Sequence, residues 1–284
     1  MAKAMATVHG AVSLVNAIAT HKGATLGIEL KVDAIIETSP GKGIFIQSEN
    51  KSLSSRLINK TIEKILSKKE IDENKIDVTL NSEIPTGYGL KSSSAISSAV
   101  ALACAKIFKP KLTDKQILLA GVDASLESKV SITGAYDDAC SCYYGGFNVT
   151  DNFKKNRIHS EKAPANLIAV IFIPKNRKRG NLKNLKILSE IFNGAWELAK
   201  KADYWNAMNI NGLATATILN SDPKIIINLL EKGALGASVS GNGPAIAAIT
   251  KKENESNIKK VFSALEGNVI VSKINNKKAE VHEL

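Results

Sequence analysis

Apolar and polar residues alternate from Gly23 to Thr38, with Leu26, Ile28, Leu30, Val32, Ala34 and Ile36 on one side. A period of two predicts one long strand with a buried face. From Ser52 to Lys68 the period changes, and Leu53, Leu57, Ile58, Ile62, Ile65 and Leu66 fall at the spacing of an amphipathic helix. Ile76 to Leu80 reads as a short strand. The stretch Ser93 to Phe108 carries Ala95, Ala99, Ala101, Ala103 and Ala105, which predicts a helix able to pack closely on a sheet. Thr113 to Ser128 is a second helix, with Thr113 and Gln116 in capping-box positions.

A proline-bearing segment, Ser160 to Asn166, separates this half from the next. Leu167 to Ile173 reads as a buried strand stopped by Pro174. Helices are expected over Leu182–Lys201, Ala202–Leu219 and Pro223–Lys232, the last with proline in its first turn. Two strands then flank a glycine-rich stretch, Ser240-Gly241-Asn242-Gly243-Pro244. A helix from Asn254 to Leu265 and strands near Val269–Ile274 and Ala279–Glu283 complete the pattern. The expected class is α+β with mixed α/β character, in two lobes spanning residues 1–162 and 163–284.

Composition narrows the function. The chain has 284 residues, 44% apolar and 23% charged, as ordinary globular domains have. Aromatics make up 5%, too few for a base-stacking platform. The net charge of +11 comes largely from lysines on solvated helix faces, such as Lys60, Lys64, Lys68 and Lys69. No nucleic-acid partner is expected. The mildly apolar run Ala11–Thr20 is interrupted by Ser13 and Asn16, and its only upstream Lys or Arg is Lys3. A secretory leader is therefore not expected, nor is a membrane span. Cys104, Cys140 and Cys142 lack metal-ligand spacing and read as buried small residues of a reducing, cytoplasmic compartment.

The richest stretch is Pro85-Thr86-Gly87-Tyr88-Gly89-Leu90-Lys91-Ser92-Ser93-Ser94-Ala95, a glycine- and hydroxyl-rich loop entering the alanine-rich helix. Two glycines can take φ values that let the backbone wrap an anion. The helix start offers unpaired N–H groups and a positive dipole end. Lys91 adds a cation and the serines add hydroxyls, so the stretch suits a polyphosphate with its metal ion.

Together with two further stretches, this loop resembles the phosphate-binding motif of the GHMP kinases, named for galactokinase, homoserine, mevalonate and phosphomevalonate kinases. Pro85, Gly89, Leu90, Ser92 and Ser93 fit that motif, with one extra serine before Ala95. Ser240, Gly241, Asn242 and Gly243 resemble its C-terminal glycine motif. Thr133-Gly134-Ala135-Tyr136-Asp137-Asp138, followed by Gly145-Gly146, resembles the segment that carries the catalytic aspartate. Within the superfamily, Asn16 to Thr20, Lys22-Gly23, Lys91 between Leu90 and the serines, and Asp151-Asn152 are similar to archaeal shikimate kinases. Lys129 departs from that pattern, where glycine is expected.

The resemblance implies a two-lobe fold with a ferredoxin-like C-terminal lobe, ATP and Mg²⁺ as cofactors, and shikimate as the small-molecule substrate. Other GHMP acceptors, mevalonate or homoserine, are the alternatives, followed by RNA binding. The backbone from Gly87 to Ser93 would hold phosphates, and Ser93 or Ser94 would reach Mg²⁺. Glu127, eleven residues before Asp138, would be a further metal ligand. Asp138 would meet the attacking hydroxyl, as base or as orienting group, with Lys3 as its partner. Adjacent Asp137 shares that pocket only if a cation lies between the carboxylates. Arg177, Arg179 and Lys175, after Pro174, would take the substrate carboxylate, and Asn16, His9 and Thr133 are the polar candidates for its hydroxyls.

Overall fold

The computed structural model describes residues 2–48 and 53–284. The chain opens with two long antiparallel strands, β1 (Ala2–Val15) and β2 (Lys22–Pro40). Their register sets Ala4 opposite Ile36, Val8 opposite Val32 and Ser13 opposite Thr25. The expected strand over Gly23–Thr38 is thus present. β1 forms in the run that Ser13 and Asn16 interrupt.

Next come β3 (Gly43–Ser48), the helices α1 (Ser55–Ile65) and α2 (Lys68–Glu73), and β4 (Asn74–Ser82). β4 pairs antiparallel with β2 and parallel with β3, so the two helices form a crossover. α1 buries Leu57, Ile58, Ile62 and Ile65, the stripe read from the sequence. Ser52, where that helix was expected to begin, lies outside the described residues.

α3 (Ser92–Phe108) is buried on nearly all sides, which its alanines permit because a small side chain lets neighbouring backbones approach. α4 (Asp114–Glu127) starts at the capping box of Thr113 and Gln116. Then follow α5 (Tyr136–Tyr144), β5 (Phe147–Asp151) and β6 (Asn156–Glu161). β5 pairs with the first part of β2, whose length lets β4 and β5 share one edge.

The second lobe begins with β7 (Leu167–Pro174), followed by a 3₁₀ segment Leu182–Leu188 and the helices α6 (Ser189–Lys200), α7 (Tyr204–Ile218) and α8 (Pro223–Glu231). The strands β8 (Gly236–Val239) and β9 (Ile246–Lys251), the helix α9 (Glu255–Ser263) and β10 (Gly267–Lys273) complete its sheet, and β11 (Glu280–Glu283) ends the chain. The sheet order β10-β7-β9-β8, antiparallel throughout, is the ferredoxin-like arrangement with added helices. β11 leaves the second sheet and pairs antiparallel with β1 of the first. Among the described residues the first sheet has seven strands and the second four.

A core beneath the first sheet joins it to α3, α4 and α5, while Phe172, Ile226, Ile258 and Phe262 centre a second core. A polar bond crosses between the lobes: the Asn16 N–H donates to Asn211 Oδ1 at 2.8 Å, and within the second lobe Asn211 Nδ2 donates to Ser238 Oγ at 2.8 Å. All three cysteines are free and buried. No described helix is long and apolar enough to cross a membrane.

Candidate active site

The two glycine-rich stretches touch. Gly87 and Gly89 have φ of +83° and +85°, a region that side-chain-bearing residues rarely adopt. A Cβ on Gly89 would lie 1.9 Å from the carbonyl oxygen of Ser240, so only glycine allows this approach. Ser240 Oγ donates to the Gly89 carbonyl at 2.8 Å, and the Ala245 N–H donates to the Tyr88 carbonyl at 3.2 Å. Gly241 and Gly243 also have positive φ.

Past Gly89 the chain buries Leu90 and enters α3. Lys91 caps the helix at φ +66° without a side-chain capping bond, leaving the Ser92–Ser94 N–H groups free at its positive end. The hydroxyls of Ser92, Ser93 and Ser94 line a cleft and make no hydrogen bond among the described residues. The cleft is open to solvent on one side and encloses a cavity volume of about 230 Å³. Its other walls include the loop Val130–Thr133, Asp137, Asp138 and, from the second lobe, Arg179, Gly241 and Asn242.

Asp137 and Asp138 stand in the first turn of α5. The Lys91 ammonium, buried, sits 2.9 Å from Asp138 Oδ1, at ion-pair distance but off the axis of a hydrogen bond. Oδ1 therefore keeps a lone pair without a directed donor. Lys91 Nζ instead donates to Ser13 Oγ at 2.7 Å. Asp137 is enclosed: Asn152 Nδ2 donates to its Oδ1 at 2.7 Å, and a Cβ on Gly23 would lie 2.3 Å from its Oδ2. Burial first, and the charge of Asp138 second, push the Asp137 carboxyl up to about 7. The cation expected between two adjacent acids is Lys91, whose charge opposes that rise.

Several expected residues stand elsewhere. Lys3 pairs with Glu37 at 3.0 Å. It sits ten positions before Ser13 on β1, roughly 30 Å away at strand rise, so it does not partner Asp138. Lys91 occupies that place. Glu127 ends α4 on the surface, paired with Lys64, and is not among the cleft-lining residues. Its spacing to Asp138 does not bring it to the cleft, because the chain turns at Lys129 before entering α5. Arg177 is exposed and lies over the Tyr88 ring at 4.9 Å, outside the cleft lining. Arg179 does line it, and donates to the Asn242 carbonyl at 3.3 Å. Asn16 lines the cleft too, but its carboxamide is occupied locally: Nδ2 donates to the Gly241 carbonyl at 2.7 Å, and Oδ1 accepts from the Ile18 N–H at 2.8 Å. Thr133 lines the cleft and accepts from the Ala135 N–H at 3.3 Å. His9 is not among the cleft-lining residues. Pro85, Leu90 and Ala95 shape the loop, with Leu90 and Ala95 in the core.

Sequence reasoning missed Ser13, which meets Lys91, Ser125 and Ser131, which line the cleft, and Asn211, which holds Asn16 from behind it. For Ser13 the trace was the polar break in an apolar run.

A helix-start anion site beside a buried lysine–carboxylate pair, closed by a second glycine loop from another lobe, belongs to an enzyme that moves phosphoryl groups. The chain belongs to the GHMP kinases: residues 56–146 match the GHMP kinases N terminal domain and residues 187–269 the GHMP kinases C terminal domain. It is 36% identical to a protein of Methanosarcina acetivorans named shikimate kinase, covering 95% of this chain and 93% of that one. A protein of the same name from Methanobrevibacter smithii is also 36% identical, over 94% and 95% of the two chains. In fold it resembles the mevalonate kinase of Methanococcus jannaschii, with a TM-score of 0.76 and 18% identity, over 96% and 98% of the chains.

Proposed function

We propose that this kinase transfers the γ-phosphoryl group of ATP to the 3-hydroxyl of shikimate. The observation that carries the chemistry is the Lys91–Asp138 pair in a cleft that it shares with the free hydroxyls of Ser92, Ser93 and Ser94. Near full-length similarity to proteins named shikimate kinase supports the choice of acceptor.

Phosphoryl transfer to an alcohol passes through a loose transition state, so the protein mainly positions groups and neutralises charge. The Ser92–Ser94 N–H groups and the α3 dipole would hold phosphate oxygens. Lys91 would place its charge between those oxygens and Asp138. Asp138 lines the cleft with its side chain partly exposed, and its second carboxylate oxygen, the one Lys91 does not contact, would orient the acceptor hydroxyl and receive its proton.

The donor set also fits Mg²⁺. That ion keeps several waters and binds through few protein groups plus substrate phosphates, so it needs no protein cage. None is found among the described residues. The Ser93 or Ser94 hydroxyl would hold it, and when bound the ion would neutralise phosphate charge. Arg179, the cation at the cleft wall from the second lobe, would face the substrate carboxylate, with Thr133 near its hydroxyls.

Incubation with Mg·ATP and shikimate, followed by ³¹P and proton NMR of the product, tests this reading. A phosphomonoester on the 3-oxygen is expected. ATP consumption with no shikimate ester would exclude the acceptor.

A further inference from the structure

Ser13 lies inside β1, outside every glycine-rich stretch, yet it is the point at which the two loops and the lysine meet. It is buried, and the β1–β2 register shifts between Ser13 and Val15, which re-aims the strand as it reaches the cleft. Its Oγ accepts from Lys91 Nζ at 2.7 Å and from the Gly241 N–H at 2.9 Å. Its own N–H donates to Ser240 Oγ at 3.2 Å, and that hydroxyl donates to the Gly89 carbonyl at 2.8 Å. One buried side chain thus ties the ammonium to the second lobe's loop, and through Ser240 to the first.

The tie matters because the Lys91 ammonium rides on a flexible four-carbon stem. The contact with Asp138 is off-axis and fixes distance better than direction. The directed bond is the one to Ser13. Lys91 also adopts φ +66°, a conformation disfavoured for any residue with a Cβ. The backbone gains nothing from lysine there, so the position serves the side chain.

We infer that Ser13 is a positioning residue for phosphoryl transfer. It fixes the Lys91 ammonium against Asp138 and makes that placement depend on the seating of Ser240 and Gly241. The inference rests on the phosphotransferase reading above. Ser13 acts through Lys91 and touches no reacting atom.

The kinetic test is a double-mutant cycle of Ser13→Ala and Lys91→Met in the full chain, with Mg·ATP and shikimate. Ser13→Ala is expected to lower kcat roughly 10-fold, as coupled neighbours do, with both KM values within about 2-fold. In the Lys91→Met background the same change is expected to have no further effect on kcat. An equal loss in both backgrounds, or a rise in KM alone, would overturn the inference, since Ser13 would then act on the loops and not through the lysine.

A second measurement needs no turnover and separates this claim from the choice of acceptor. Lysine acylation by methyl acetyl phosphate, followed by peptide mass spectrometry, reads how firmly Lys91 is held. Ser13→Ala is expected to raise the Lys91 rate several-fold while the rates at exposed Lys175 and Lys178 stay unchanged. An unchanged Lys91 rate overturns the inference even if shikimate is not the acceptor.

Discussion

Lys91 and Asp138 lie 47 positions apart in the chain and meet at 2.9 Å, each in the first turn of its helix or at its cap. Their meeting places a cation where two adjacent carboxylates would otherwise repel. It also leaves Asp138, a residue of the cleft wall, with one buried oxygen, Oδ1, free of a directed donor.

Because the pair acts as one unit, its losses are expected not to add. Lys91→Met and Asp138→Asn are each expected to lower kcat by about 10²–10⁴, the usual contribution of a positioned acid–base group. The double variant is expected to be little worse than the worse single one. Steady-state ADP release measures all three. Near-normal turnover in Asp138→Asn would remove the aspartate from the mechanism.

Gly89→Ala tests the contact between the glycine loops. Its Cβ would meet the Ser240 carbonyl oxygen at 1.9 Å, and backbone cannot yield as a side-chain tip can. With φ of +85° added, destabilisation of about 1–3 kcal/mol and loss of nucleotide affinity are expected. Gly194→Ala in α6 is the control, since nothing lies within 4 Å of its Cβ and alanine favours the helix. Thermal unfolding and nucleotide titration calorimetry read both variants.

Lys129 stands where glycine was expected, and its φ is +61°. The left-handed region costs a residue with a Cβ about 1–2 kcal/mol, part of which glycine loses again to backbone entropy. Lys129→Gly is expected to stabilise the chain by roughly 0.5–1 kcal/mol and raise Tm by about 2 °C. An unchanged or lowered Tm would mean that the lysine side chain contributes what its backbone loses.

These examples show which features a sequence carries. The glycine loops, the Thr113 capping box and the apolar stripe of α1 were legible because each is a local requirement, met by neighbouring residues. Long-range pairing was not. β1 looked like an interrupted apolar run, and β11, four residues from the far end of the chain, was not seen to return to β1. The expected partner of Asp138 was Lys3, taken from the resemblance to mevalonate kinases, whereas strand rise carries Lys3 to the far end of β1. Lys91 was read as a cation, but its inward turn toward α5 follows from a backbone angle that no side-chain pattern announces.

Asp137 gives a pH signature. Burial raises its folded-state pKa from 3.8 to about 7, so the folded chain holds this proton more tightly than the unfolded chain. No stability is lost to this group below pH 4. The loss grows as pH rises between about 4 and 7, and is complete above that. Asp137→Asn keeps an acceptor for Asn152 and removes the ionisation. Relative to the parent, it is expected to gain stability from pH 4.5 to 7.5, measured by urea unfolding at both values. A constant difference would mean that Asp137 keeps an ordinary carboxyl.

The central claim concerns the acceptor, and a single coupled assay addresses it. Initial rates of ADP release are measured with Mg·ATP and, side by side, shikimate, mevalonate and homoserine, each corrected for the rate with water alone. Turnover on shikimate at least a hundredfold above the other two is the expected result. Turnover on mevalonate or homoserine with none on shikimate would contradict the claim, leaving the fold and the Lys91–Asp138 chemistry to serve a different alcohol.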